Sequence, residues 1–256
     1  MSSLRYPGGG IRCNIQCRLL KFFHQSLLVI AVSAAGSTVI FAADFQINNG
    51  DTFNLGAATL NIGCGNFVIQ NSGTFTADSG GILLSGDWSN QGDFNSGSSS
   101  VVFNDDCGAN SISTITGETE FHNLSAATTL AHELHFEVDQ HQSVANSLVL
   151  TGAAGQLLKV RSTVPGSPAF LDLDEGGSQT IAYVDVQDNH ASSQSQHLAP
   201  GTPSSFDSMD SGGNWRWFRS GIAVSVPTLA ASGLALLVLL LALMATHLHP
   251  DGRLRL

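Results

Sequence analysis

Between residues 44 and 218 the chain alternates short apolar stretches with Gly, Ser, Asn and Thr. Thr59-Leu60-Asn61-Ile62, Phe67-Val68-Ile69, Gly73-Thr74-Phe75-Thr76, Ile82-Leu83-Leu84, Val101-Val102-Phe103 and Leu148-Val149-Leu150 have the branched and aromatic content of strands. Strict alternation in Leu134-His135-Phe136-Glu137-Val138 puts Leu134, Phe136 and Val138 on one face of a strand. The same period recurs in Phe170-Leu171-Asp172-Leu173-Asp174 and in Ile181-Ala182-Tyr183-Val184-Asp185-Val186. The pattern predicts an all-β domain of short, fairly evenly spaced strands, as in a sandwich, a barrel or a solenoid. The shortness of the strands and the Asn and Ser at the turns, as in Asn71-Ser72-Gly73 and Ser89-Asn90-Gln91-Gly92, favour a solenoid. A β-sandwich is the alternative, and strand direction separates the two. Residues 188–213, rich in Ser, Gln, Pro and Gly, read as a loose excursion or linker before a final aromatic strand.

The two ends have a different pattern. Residues 229–246 form an apolar run without charged residues, containing Leu236-Leu237-Val238-Leu239-Leu240-Leu241, with Pro227 before it and Arg253 and Arg255 after it. As a helix that run covers about 27 Å, close to the roughly 30 Å of a bilayer's hydrocarbon core. At the other end, Arg5, Arg12, Arg18 and Lys21 precede an apolar stretch over residues 26–41, followed by Ala42, Ala43 and polar sequence from Asp44. This is the grammar of an export signal, cleaved after residue 43 or kept as an N-terminal anchor. The organisation expected is a signal over residues 1–43, a β-rich exported domain over 44–218, a tether over 219–226, and a membrane tail over 227–256. Retention of Arg253 and Arg255 on the cytoplasmic side turns the middle of the chain outward.

Charge sharpens this picture. Residues 44–219 hold nineteen Asp or Glu against four Lys or Arg (Lys159, Arg161, Arg216 and Arg219), a formal charge of −15. Such a surface repels phosphate backbones, which excludes nucleic acid as a partner. Cys13 and Cys17 lie in the signal region, leaving Cys64 and Cys107 in the exported part. A lone pair in an oxidising compartment suggests one disulfide, closing a loop worth about 3–4 kcal/mol in the loop-entropy model.

Val226, Pro227, Thr228 and Leu229, followed by one apolar span and a basic end, resemble the IPTL-type C-terminal sorting signals of Gram-negative bacteria, relatives of the PEP-type signals. Val226 stands in place of the usual isoleucine, Ala230-Ala231-Ser232 in place of a Ser-Glu-Trp-like stretch, and the arginine cluster is thin. The resemblance implies recognition by a membrane-bound sorting protease of the exosortase kind. A second likeness lies in the middle of the chain. Leu84-Ser85-Gly86-Asp87-Trp88-Ser89-Asn90, with Gly92-Asp93-Phe94 after it, and Thr119-Glu120-Phe121-His122-Asn123-Leu124 resemble rungs of bacterial surface proteins with a right-handed parallel β-helix. Gly213-Asn214-Trp215-Arg216-Trp217-Phe218 resembles their closing element, whose aromatics cover the last rung.

Candidate chemistry is sparse. His132-Glu133-Leu134-His135 has a spacing of three where a zinc-protease helix needs four, and on a strand the two histidines face opposite sides, so exposed turn and strand histidines are expected. Asp105-Asp106 and the group Asp172, Asp174 and Glu175 offer hard oxygens to calcium, but no EF-hand loop or repeated calcium nonapeptide accompanies them, and a solvated acidic face is expected. A uronate lyase needs Arg, Lys or a metal, and residues 44–158 contain no Lys or Arg. No metal site, cofactor or catalytic residue is assigned. The expectation is a non-enzymatic structural or adhesive protein, single-pass, exported to the periplasmic side of the inner membrane and onward to the surface. Its expected partners are the bilayer, a sorting protease, and an extracellular glycan or matrix. The alternative is a module that binds or cleaves glycans, with Trp88 as a stacking platform.

Overall fold

A computed structural model describes residues 38–40, 44–109 and 111–219. The chain winds as a parallel β-solenoid of about seven rungs. The first rung holds β1 (Thr38–Ile40), β2 (Phe45–Ile47) and β3 (Thr52–Asn54), the second β4 (Thr59–Gly63), β5 (Phe67–Ile69) and β6 (Thr74–Thr76), and the third β7 (Gly81–Leu84), β8 (Trp88–Asn90) and β9 (Asp93–Asn95). Then come β10 (Ser100–Phe103), β11 (Ser111–Thr116), β12 (Thr119–Ala127), β13 (His132–Phe136), β14 (His141–Thr151) and β15 (Leu158–Ser162). The last rungs hold β16 (Ala169–Leu173), β17 (Ser178–Ala182), β18 (Val184–Gln187), β19 (Asn189–His190) and β20 (Met209–Gly212).

Equivalent strands of successive rungs pair into three sheets of nine, eight and three strands. Every pairing between these strands is parallel. A sandwich built from hairpins would be antiparallel, so strand direction decides for the solenoid. From the fourth rung the third side is supplied by longer strands. Residues 119–121 of β12 pair with 142–144 of β14, residues 123–127 pair with 147–151, and the register break between Phe121 and Asn123 marks the corner.

Alternation explains the core. Phe45, Phe67 and Trp88 occupy one register position on successive rungs, and Phe53, Phe75 and Phe94 another. Within each column the rings stack, as Phe67 on Trp88 at 4.2 Å and 13°. Between columns they meet edge to face, as Phe67 and Phe75 at 5.0 Å and 81°. This herringbone satisfies the ring quadrupoles in both directions. Trp88, the stacking platform of the alternative glycan-binding reading, is fully buried, with its indole N–H donating to Thr119 Oγ1 at 3.1 Å. Tight corners need glycine. Gly117 sits at φ +74°, and a Cβ there would lie 1.8 Å from the Asn90 carbonyl oxygen.

Residues 188–213 are not a loose linker. They contain β19, a short 3₁₀ helix over Pro203–Phe206 and β20, and they bury Ala191, Leu198 and Ala199. Trp217 and Phe218 are buried against the last rung, with Trp217 Nε1 donating to Asn189 Oδ1 at 3.0 Å and Phe206 packed beside them. Those two aromatics close the stack as expected, while Trp215 points outward.

Candidate functional site

Polar groups fall into three places: the corners, the interior and the outer faces. At the corner between the first two sides of the first four rungs, a side-chain ladder links successive rungs. Asp44 Oδ1 accepts the Asn66 N–H at 2.9 Å, Asn66 Oδ1 accepts the Asp87 N–H at 2.8 Å, and Asp87 Oδ1 accepts the Thr114 N–H at 2.7 Å. These side chains satisfy backbone donors that the interrupted strands leave unpaired. Cys64 and Cys107 meet at the same corner and form a disulfide with a Cα–Cα distance of 5.5 Å.

Three of the acids considered for calcium, Asp105, Asp106 and Asp172, are occupied similarly. Asp105 Oδ2 accepts the N–H groups of Thr129 and Leu130 and the Thr129 hydroxyl, while Asp106 accepts from Asn104. Burial pushes the Asp105 carboxyl up, but those hydrogen bonds outweigh it and hold its pKa below the usual value. Asp172 accepts the Ser192 N–H and faces His141 Nδ1 at 3.3 Å. Asp174 and Glu175 are exposed. Among the described residues no three His, Cys, Asp or Glu side chains converge as a metal site.

His132 and His135 face opposite sides of β13, as the spacing requires, but His132 is not exposed. It is fully buried, its Nδ1 lies 2.7 Å from Ser111 Oγ, and its Nε2 has no hydrogen-bond partner. Burial lowers its pKa below the usual imidazole value, against the pull of Asp105 and Glu133. The reason is periodic: Leu134 points inward, so the residue two before it does too.

On the outer face of the eight-stranded sheet, Ile112, Glu133, Lys159, Asp185 and Met209 hold one register position down five rungs. Glu133 pairs with Lys159 at 2.6 Å and with His135 at 2.9 Å, while Asp185 pairs with Arg161 and accepts from the Ser211 hydroxyl. Burial pushes the Glu133 carboxyl up, but Lys159 and His135 outweigh it and leave the pKa lowered. A carboxylate held ionised in this way is a poor general acid at neutral pH. The network is a cross-strand charge ladder that holds neighbouring strands in register.

A second outer column, unread in the sequence, consists of rings: His141, Phe170, His190 and Trp215 on four successive rungs. Uneven corner lengths between these residues conceal their common position.

Val226, Pro227, Thr228, Leu229, Arg253 and Arg255 lie outside the described residues, as does most of the export signal. Within the described residues no helix is long and apolar enough to cross a membrane. No protein-family model, curated protein or solved structure matches the chain.

Proposed function

We propose that this chain is an exported surface protein whose β-solenoid is a structural or adhesive module, held to the membrane by its C-terminal tail. In this reading the N-terminal signal drives export, and residues 229–246 stop transfer. Val226-Pro227-Thr228-Leu229 is an IPTL-type signal read by a membrane-bound sorting protease, which passes the domain to the surface or matrix. The observation that carries the export reading is the Cys64–Cys107 bridge, because disulfides persist in oxidising compartments outside the cytosol. The structural role rests on the placement of the acids, which serve as corner ladders and cross-strand pairs. We read the winding as right-handed, the hand taken by nearly all crossovers between parallel strands of one sheet.

Fractionation with mass spectrometry of the mature ends tests the proposal. The expected product begins at Asp44 and lacks the segment beyond the Pro227-Thr228-Leu229 motif. Mature protein containing peptides that span residues 227–241 would contradict processing, and an intact Met1 region would contradict signal cleavage.

A further inference from the structure

The second and third rungs turn from β4 to β5 and from β7 to β8 through residues 64–66 and 85–87, whereas the fourth inserts a longer segment between β10 and β11. Residues 104–109 of that segment form a strap over the corner. Its root, Asn104, is fixed to the third rung, with its N–H donating to the Leu84 carbonyl at 2.9 Å and its Oδ1 accepting from the Ser85 hydroxyl. Cys107 reaches past the third rung and is bonded to Cys64 of the second. Between these two fixed points Asp105 turns the other way. Its Oδ2 accepts the Thr129 and Leu130 N–H groups at 2.7 and 2.8 Å and the Thr129 hydroxyl at 3.2 Å, all at the corner of the fifth rung. The other hydrogen bonds of residues 105–109 close within the strap, Asp106 with Asn104 and the Gly108 N–H with the Asp105 carbonyl. None of residues 105–109 is buried, and Cys64, Asp106, Cys107 and Ala109 are exposed.

We propose that Cys64–Cys107 is a redox latch. An external dithiol opens it in the folded domain, frees the strap to pivot at Asn104, and loosens the corner that Asp105 holds. Exchange requires a thiolate to reach one sulfur of the bond, and exposed disulfides are the labile ones. Both cysteines are exposed, so the attack needs no unfolding. One thiolate of the dithiol bonds to a cysteine sulfur and displaces the other cysteine as thiolate. The second thiolate of the dithiol then displaces the first cysteine. Two electrons pass to the protein, the dithiol leaves as a cyclic disulfide, and its two protons end on the cysteines. The stack survives because the strap contributes no buried side chain, and the sheets on either side remain paired strand to strand. Asp105 loses one of its two fixed flanks. It then samples more positions and meets the Thr129 and Leu130 amides for a smaller fraction of the time. The latch thus ties the second rung to the fifth, and its redox state sets how firmly that corner is closed.

The test uses the full-length protein in detergent, before and after dithiothreitol at mildly alkaline pH, with thiols counted by alkylation and amides followed by hydrogen exchange. Both cysteines should become alkylatable without denaturant. Exchange at Thr129 and Leu130 should then speed by about threefold or more while β13 and β15 keep their protection. Cys64→Ser combined with Cys107→Ser should give the same pattern without dithiol. Asp105→Ala should give the faster exchange with the bridge intact. A bridge that opens only in denaturant overturns the proposal. So does unchanged exchange at Thr129 and Leu130 once both thiols are free. Protection lost throughout β13 and β15 overturns it as well, because reduction would then unfold the domain rather than release a strap.

Discussion

His132 shows how one residue sets a pH limit on the fold. Its imidazole is buried with one nitrogen on Ser111 and the other unpartnered, and burial lowers its pKa. An unfolded chain takes up that proton near the ordinary value of 6.5, while the folded chain resists it to lower pH. Between those points the unfolded state binds more protons, so stability is full above about pH 6.5 and falls as pH drops below it. Asp105 and Glu133 add a second loss further down. Their lowered pKa values give stability that is present above the unfolded values of 3.8 and 4.5 and disappears as pH falls through the folded ones. Urea unfolding from pH 8 to pH 3 should therefore show two declines. His132→Asn, which can keep the Ser111 contact, should remove the upper decline and leave the lower. Persistence of both declines in that variant would assign the upper one to another group. His132, expected exposed, is turned inward by the alternation around Leu134, and a polar imidazole at the start of a strand conceals this in the sequence. What sequence could not provide was its contact with Ser111, because that residue arrives from the preceding rung.

At the scale of elements, the strands are too short to be stable alone, and each is held by the rungs above and below. The aromatic herringbone of the first three rungs is the densest example. Phe75 is fully buried and contacts Phe45, Phe53, Phe67 and Phe94. Phe75→Ala should lower stability by about 3–5 kcal/mol in denaturant unfolding, a typical loss for a large buried ring. Phe94→Ala should lower it less, since Phe94 is only partly buried against the same core. Equal losses would mean that depth of burial does not set the cost of losing a ring within that column. Gly117→Ala should destabilise at the next corner, by about 1–3 kcal/mol for the positive φ and more for the clash with the Asn90 carbonyl. Strand existence was readable from apolar alternation, while the closing roles of Trp217 and Phe218 followed from the resemblance of residues 213–218 to the end element of bacterial surface β-helix proteins. Register was not, because corner lengths vary. The path from Phe67 to its partner Trp88 is shorter than that from Trp88 to Ile115, where the 104–110 segment is inserted. The same unevenness hid the ring column. β1 falls within the stretch read as the export signal, so cleavage after residue 43 would leave β4 as the edge of its sheet.

For the whole molecule, a one-dimensional stack gains its stability from neighbour contacts, and a covalent link between distant rungs matters more than in a globular core. The Cys64–Cys107 bridge encloses a separation of 43 residues. The loop-entropy model puts such a link at about 4 kcal/mol, so Cys64→Ser or reduction should lower unfolding stability by roughly that amount. The bridge also joins the two halves of the account, since the thiols meet only if the chain winds as described and remain joined only in an oxidising compartment. Trapping thiols in intact cells with a membrane-permeant alkylating agent, then mapping Cys64 and Cys107 by mass spectrometry, therefore tests the central claim most directly. The expected result is a linked Cys64–Cys107 peptide in the protein recovered from the cells, unmodified until reductant is added. Rapid alkylation of both cysteines in the folded protein inside the cell would contradict it.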